Sequence, residues 1–168
     1  MANGLQTTST IDIKPVEQFD AIVIGAGVAG LYQLYRLRQL GLSVRCYEDG
    51  SGVGGTWYWN RYPGCRFDSE SYTHGSSFSE GLLQEWDWKE HFSGQPENER
   101  YLNYVADKFD LRRHIQFNAW ITSAVYDEKE NRWEIQTDHT SRWPHERVNF
   151  TGWLSRRRKR HGRSTATR

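Results

Sequence analysis

The feature that most constrains the fold is an apolar segment, Asp20-Ala-Ile-Val-Ile24, that runs directly into the glycine-rich sequence Gly25-Ala-Gly-Val-Ala-Gly30. The segment is apolar on both faces, which predicts a buried parallel strand. Gly25 permits a tight turn after this strand, Gly27 lets the backbone approach a pyrophosphate, and Gly30 lets the next helix pack against the strand. The free N–H groups and the positive dipole end of that helix favour a diphosphate. The pattern therefore predicts a dinucleotide-binding βαβ unit.

An acidic residue at the end of a second predicted strand extends this pattern. A helix is predicted over residues 28–40, and Gly41 supplies its left-handed stop. The strand Ser43-Val-Arg-Cys-Tyr-Glu48 follows, and Glu48 is placed to accept hydrogen bonds from a ribose. The alternative is an exposed strand-end carboxylate without a ligand. Strand, glycines, helix, strand and terminal acid in register are much more specific than an isolated GxGxxG.

Length and composition narrow the class of protein. The 168 residues suffice for one domain with its own core. Cys46 and Cys65 form neither a disulfide framework nor a metal-binding spacing, which favours a reducing, cytoplasmic location. His74, His91 and His114 are better explained as surface or core histidines than as ligands, so no metal site is expected. No signal peptide and no apolar run of membrane-spanning length is present, so no membrane association is expected.

The rest of the chain is predicted to combine a helix with an antiparallel hairpin. Apolar residues at helical spacing predict a helix over residues 97–109, and residues 49–80 are interpreted as a long functional loop. The predicted fold class is α/β: a partial Rossmann-like domain with a parallel sheet and an antiparallel β-hairpin insert. Strands are predicted at residues 19–24, 43–48, 115–117, 120–127 and 132–137, the last two joined by a turn at 128–131.

An aromatic run between glycines is the second diagnostic motif. It reads Gly54-Gly-Thr-Trp-Tyr-Trp-Asn-Arg-Tyr-Pro-Gly64 and continues as Cys-Arg-Phe-Asp68 and Ser-Glu-Ser-Tyr72. This sequence closely resembles the N-terminal flavin domain of the Baeyer–Villiger monooxygenases. The resemblance covers about residues 16–137 and is far more specific than the glycine fingerprint. Further matching segments lie at residues 78–79, 82–88, 92–97 and 101–107.

The resemblance implies FAD as the cofactor of this domain, with NADPH held by a separate domain in the intact family. There the reduced flavin reacts with O₂, and a small-molecule ketone is converted to an ester or lactone. Two alternatives remain open: another two-domain flavin monooxygenase, one that hydroxylates nitrogen, and a non-catalytic FAD-binding or interaction remnant. The Trp-Tyr-Trp-Asn-Arg-Tyr-Pro run favours the Baeyer–Villiger type over the N-hydroxylating type.

The resemblance also implies a site, position by position. The FAD diphosphate would lie against the glycine turn, and the adenosine ribose against Glu48. Asp68 would be the catalytic residue beside the isoalloxazine, helping to place the nicotinamide and the peroxide; the alternative is a turn-capping acid. His74 stands where the family usually has tyrosine, and the consecutive aromatics could instead be core residues. The full cofactor-binding set is Gly25, Ala26, Gly27, Gly30, Glu48, Gly55, Thr56, Trp57, Tyr58, Trp59, Asp68, His74 and the backbone of Ile121.

The match breaks after Asp138 and resumes out of place at His139. Residues 139–152 resemble the second half of the family's signature, whereas a stretch that supplies a further strand of the dinucleotide fold is missing. We infer an internal deletion joining Asp138 to His139, and we expect an unpaired edge in the parallel sheet. The predicted organisation is a mobile segment at 1–18, an incomplete FAD-binding domain at 19–138, a signature remnant and linker at 139–152, and a basic tail at 153–168.

The tail at 153–168 holds seven basic residues and no acidic one. With permitted codons for residues 156–162, a shifted reading frame encodes Val-Ala-Val-Ser-Gly-Thr, which suits the strand and glycine turn of an NADPH fingerprint. We therefore interpret the tail as a frameshifted sequence. The alternative, a segment that binds nucleic acid or an anionic membrane, is disfavoured because aromatic residues do not interleave the charges. FAD binding by the chain is expected to be weak at best, and catalysis absent, because hydride delivery needs bound NADPH.

Overall fold

The computed structural model describes the backbone of residues 16–139, 143–150 and 154–156, and the side chains of residues 16–138. This part of the chain forms four α-helices and eight β-strands, with 3₁₀ turns at Ser71–His74 and Arg112–His114. The helices are α1 (Val28–Gln39), α2 (Thr56–Trp59), α3 (Glu80–Glu85) and α4 (Gln95–Lys108). The strands are β1 (Glu17–Phe19), β2 (Ala21–Ile24), β3 (Val44–Tyr47), β4 (Ile115–Gln116), β5 (Ala119–Asp127), β6 (Arg132–His139), β7 (Trp143–Phe150) and β8 (Leu154–Arg156).

A parallel sheet in the order β4-β3-β2-β8 forms the centre of the fold. Alternate residues of β2 and β3 face opposite sides of this sheet. On one side Val23 and Cys46 contribute to a core that includes Leu34 of α1 and Val105 of α4. Because β2 is covered on both faces, its sequence is apolar without the alternation of a half-exposed strand.

A second sheet in the order β1-β7-β6-β5 covers the other face. Ile22 and Tyr47 pack there against Ala119 and Ile135. Strands β5 and β6 form an antiparallel hairpin, and Asn131 in its turn has a φ of 51°, which asparagine tolerates better than most residues. The predicted α/β class, with a parallel sheet and an antiparallel hairpin, is confirmed.

Asp20 divides what the sequence predicts as one strand over residues 19–24. Its carboxylate accepts hydrogen bonds from the N–H of Ser43 (2.8 Å) and from the Ser43 hydroxyl (2.6 Å). Asp20 is the residue between β1 and β2, and the two strands belong to different sheets. Strand β1 pairs with β7, whereas β2 pairs with β3. Helices α2 and α3 differ from the prediction, since α2 lies within residues 49–80, interpreted as one long loop, and α3 begins at the end of that loop.

The edge of β2 is covered, although the interpreted deletion predicts an unpaired edge in the parallel sheet. Strand β8 lies parallel to β2 with Ile22 opposite Leu154 and Ile24 opposite Arg156. Strand β7, in residues interpreted as part of a linker, pairs with both β1 and β6. Residues after the interpreted deletion therefore add a strand to each sheet.

Some predictions fall outside the described residues. They are the mobile segment predicted at 1–18, of which residues 1–15 are not described, and the frameshifted basic tail interpreted at 153–168, of which only the backbone of residues 154–156 is described. Within the described ranges, no helix is long and apolar enough to cross a membrane. The same ranges hold no group of three or more His, Cys, Asp or Glu side chains arranged to bind a metal ion.

Candidate functional site

The glycine turn connects β2 to α1 at the carboxyl edge of the parallel sheet. Gly25 has a φ of +93°, and its N–H donates to the Tyr47 carbonyl at 2.8 Å. A Cβ at Gly30 would lie 1.8 Å from the carbonyl oxygen of Gly25, so only glycine allows α1 to approach the turn this closely. Gly27 is the N-cap of α1, and no side chain caps the helix. The first N–H groups of α1 therefore have no acceptor within their own helix.

Glu48 lies next to this turn and is buried, with a relative exposure of 5%. One carboxylate oxygen, Oε2, accepts a hydrogen bond of 2.7 Å from the N–H of Ala26. The other, Oε1, accepts a bond of 2.7 Å from the N–H of Gly50. The alternative that Glu48 is an exposed strand-end carboxylate is therefore wrong.

The aromatic run of residues 57–59 lies on α2, which sends its three rings in different directions. Trp57 is buried and makes an edge contact with Phe67, with ring centroids 4.6 Å apart. Trp59 is 47% exposed. Tyr58 is half-buried, and its hydroxyl bonds to the N–H of Ser51 at 3.1 Å. The core interpretation therefore applies to Trp57 and not to Trp59.

Glycines in the segment after β3 make room for the Tyr58 ring. A Cβ at Gly50 would lie 2.6 Å from Cε1 of Tyr58, and one at Gly52 would lie 3.1 Å from its Cε2. Gly54 has a φ of +138°, and its N–H donates to the carbonyl of Ala26 at 3.0 Å. The two glycine-rich motifs of the sequence are thus joined directly.

A buried amide that sequence reasoning missed holds α2 against α4. The Nε2 group of Gln95 donates to the carbonyl of Trp57 and, at 2.7 Å, to the carboxylate of Glu99. Glu99 also pairs with Arg61 at 2.6 Å. The sequence signal that places Gln95 at the start of a helix is Gly94 as the N-cap of α4 with a proline in its first turn.

His74 and Asp68 lie at the surface of the loop region. The His74 ring stacks on Phe67 with centroids 3.5 Å apart and an interplanar angle of 9°. Its Nε2 is 2.5 Å from the Ser69 hydroxyl. Partial burial lowers the pKa of His74, and the negative charge of Asp68 acts in the opposite direction.

The predicted site residues fall into three places. The turn residues Gly25, Ala26, Gly27 and Gly30 lie together with Glu48 at the start of α1, whereas Thr56, Trp59 and Asp68 are exposed. Ile121 is half-buried on β5, next to the second core. A small cavity of about 40 Å³ connects the start of α1 to the aromatic loop and is lined by Val28, Trp57, Phe67, His74, Trp88 and Tyr101 among others.

Comparison with known proteins assigns the chain to a family. Residues 23–85 match the model of an NAD(P)-binding Rossmann-like domain. A Baeyer–Villiger monooxygenase from Pseudooceanicola batsensis is 50% identical over 136 residues, covering 80% of this chain and 25% of the relative. The chain is a homologue of the Baeyer–Villiger monooxygenases. The resemblance in the aromatic loop is thereby confirmed.

Two further relatives agree with this assignment. Acetone monooxygenase (methyl acetate-forming) from Gordonia sp. (strain TY-5) is 47% identical over 169 residues, covering 79% of this chain and 32% of the relative. The solved structure of an oxidized steroid monooxygenase bound to NADP has a TM-score of 0.76 at 50% identity, covering 82% of this chain and 25% of that one. This chain therefore spans about a quarter to a third of the length of these relatives. Solved relatives bound to NADP and to FAD agree with the cofactors expected for the family.

Proposed function

We propose that this chain binds FAD, with the diphosphate at the start of α1 and the adenosine ribose near Glu48. The observation that carries the proposal is the buried Glu48 carboxylate bonded to Ala26 beside a helix start without a side-chain cap. An acid at the end of the second strand and a glycine turn at a helix start are the two parts that a dinucleotide requires.

The residues present fit such a ligand. Gly25 takes a left-handed φ of +93°, and Gly30 leaves no space for a side chain between α1 and the turn. No acidic residue lies in the first turn of α1, so no carboxylate there opposes an anion. The exposed Trp59 and the ring of His74 lie in the region between β3 and α3. We propose that these two side chains and Thr56 line the flavin.

Other roles follow from the same proposal. FAD, when bound, supplies the redox chemistry, accepting hydride and delivering electrons to O₂. Asp68 is proposed to help orient the nicotinamide, as the family resemblance implies. Its carboxylate is exposed, and its negative charge acts to raise the pKa of His74. The backbone of Ile121 is proposed to contact the adenine. Residues 19–138 form the proposed FAD-binding unit, with residues 143–150 and 154–156 adding strands to its sheets.

Ligand competition tests the FAD proposal. The chain is titrated with FAD, ADP and FMN, with flavin fluorescence as the readout. We expect ADP to compete with FAD and FMN to bind more weakly, because FMN lacks the ADP half that the glycine turn would hold. Gly27→Trp, checked for folding by circular dichroism, is expected to abolish binding. Equal binding of FMN and FAD, or native affinity in a folded Gly27→Trp variant, would contradict the proposal.

The proposed activity of the whole protein is oxygenation of a ketone with NADPH and O₂. The acetone monooxygenase (methyl acetate-forming) is named for a ketone substrate and an ester product. Gly25–Gly30 is the GxGxxG sequence that opens a long helix, whereas Gly50–Gly55 has the same spacing but precedes the four-residue α2. We therefore propose that the chain supplies one dinucleotide site and does not perform this reaction alone. Incubation with FAD, NADPH and a panel of cyclic and linear ketones is expected to give no ketone-dependent NADPH loss. Ester or lactone formation above the Gly27→Trp control would overturn this expectation.

A further inference from the structure

The carboxylate of Glu48 connects two loops that leave neighbouring strands. Ala26 belongs to the turn after β2, and Gly50 belongs to the loop after β3. Each donates its backbone N–H to a different oxygen of Glu48 at 2.7 Å. Because neither residue has a polar side chain, the only group of either that can donate to Glu48 is its backbone N–H.

The Ala26 bond determines which way one peptide unit of the turn faces. In a trans peptide the N–H and C=O point in opposite directions. With the Ala26 N–H directed at Glu48, the Gly25 carbonyl is directed away from it. That carbonyl oxygen lies 1.8 Å from where a Cβ of Gly30 would be, so it faces α1.

The next peptide unit is held in the same way. The Ala26 carbonyl accepts the N–H of Gly54 at 3.0 Å, so the N–H of Gly27 in that peptide points in the opposite direction. Gly27 is the N-cap of α1. Both peptide units that flank Ala26 are therefore oriented by residues outside the turn. The Ala26 N–H donates to Glu48, and the Ala26 carbonyl accepts from Gly54.

We propose that Glu48 is a positioning residue that holds the glycine turn in its anion-binding shape before any ligand is present, separately from contact with a ribose. This rests on the proposed function in so far as the turn receives a diphosphate. The physical reason is that a buried N–H without an acceptor is costly, so loss of the carboxylate frees the turn to rotate toward other acceptors. An ionised carboxylate is suited to the task because it accepts two N–H bonds and donates none.

A comparison of two ligands separates positioning from ribose contact. Glu48→Gln replaces one oxygen with an NH₂ group that faces a backbone N–H. Binding of ADP and of 2′,3′-dideoxy-ADP is measured by calorimetry for the native chain, for Glu48→Gln and for the exposed control Glu80→Gln. If Glu48 acts through the turn, Glu48→Gln weakens 2′,3′-dideoxy-ADP as well as ADP, by roughly tenfold for one charged hydrogen bond, whatever further loss ADP shows through its ribose hydroxyls. If the loss is confined to ADP, Glu48 acts through the ribose hydroxyls and the proposal is overturned.

A second measurement needs no ligand. Amide hydrogen exchange by NMR is expected to accelerate at Ala26 and Gly50 in Glu48→Gln, while the amide of Gly25, which bonds to Tyr47, is affected less. Unchanged exchange at Ala26 and Gly50 would overturn the proposal. If Glu48→Gln does not fold, Glu48→Asp provides the same test, because it keeps the charge and withdraws the oxygens. If the native chain binds no ADP, the proposed function fails while the exchange result still decides the role of Glu48.

Discussion

A side-chain carbon at Gly30 would lie 1.8 Å from the carbonyl oxygen of Gly25. This relationship brings α1 against the turn after β2, and the N-terminal amides of the helix consequently lie at the carboxyl edge of the sheet. The opposing atom belongs to the backbone, so the clash cannot be relieved by rotating a flexible side chain.

Gly30→Ala is therefore expected to prevent folding or to lower the unfolding midpoint in urea severely. The matched control is Gly41→Ala, where φ is +77° and nothing lies within 4 Å of an added Cβ. That variant carries only backbone strain, which costs about 1 kcal/mol. Equal stability of the two variants would show that α1 does not approach the turn as described.

His74 is expected to titrate below its ordinary pKa of 6.5, because burial against Phe67 disfavours the charged ring. A lowered folded-state pKa means that the contribution of His74 to stability is complete above pH 6.5 and is lost as the pH falls below it. His74→Tyr keeps a ring at this position but removes the group that titrates. The stability of this variant should therefore fall less than that of the native chain as the pH drops below 6.5. Asp68→Asn should lower the pKa of His74 further.

NMR titration of the His74 ring protons checks this expectation directly. His114 also has a pKa lowered by burial and by the cations Arg38, Arg113 and Arg45, so bulk stability measurements must be compared between the native chain and His74→Tyr. A His74 pKa at or above 6.5 would contradict the stacked, partly buried ring.

Gln95→Met is expected to lower the free energy of unfolding by about 1–3 kcal/mol, because the Trp57 carbonyl loses its donor. Methionine has nearly the same length but cannot donate a hydrogen bond. The control is Gln84→Met on the exposed side of α3, where little change is expected. Urea unfolding followed by tryptophan fluorescence measures both, and equal midpoints would mean that this bond does not secure α2.

Strand β8 is expected to stabilise the parallel sheet. A chain ending at residue 156 keeps all three residue pairs with β2, whereas a chain ending at residue 153 loses them. The shorter chain should unfold at lower urea concentration and bind more of a hydrophobic dye, since the edge of β2 becomes exposed. Indistinguishable behaviour of the two chains would contradict the pairing.

Local sequence determined the parts of this protein whose geometry depends on neighbouring residues. Gly25, Gly27 and Gly30 specify the strand, turn and helix start because the positive φ and the close approach can be inferred from residue type and spacing. The apolar segments of β2 and β3 specify buried strands in the same way. The aromatic loop identified the family because its sequence is specific, even though the directions of its three rings could not be inferred.

Tertiary structure alone decided the features that depend on residues far apart in the sequence. The bond from Ala26 to Glu48 joins residues 22 positions apart, and that from Gln95 to Trp57 joins residues 38 apart. The position of β8 beside β2 depends on the competition between sheet edges, which no local pattern reveals. Asp20 interrupts a continuous apolar segment only because Ser43 lies opposite it. Hydrogen-bond partners are selected by proximity after folding, so the sequence could supply the donors and acceptors but not their pairing.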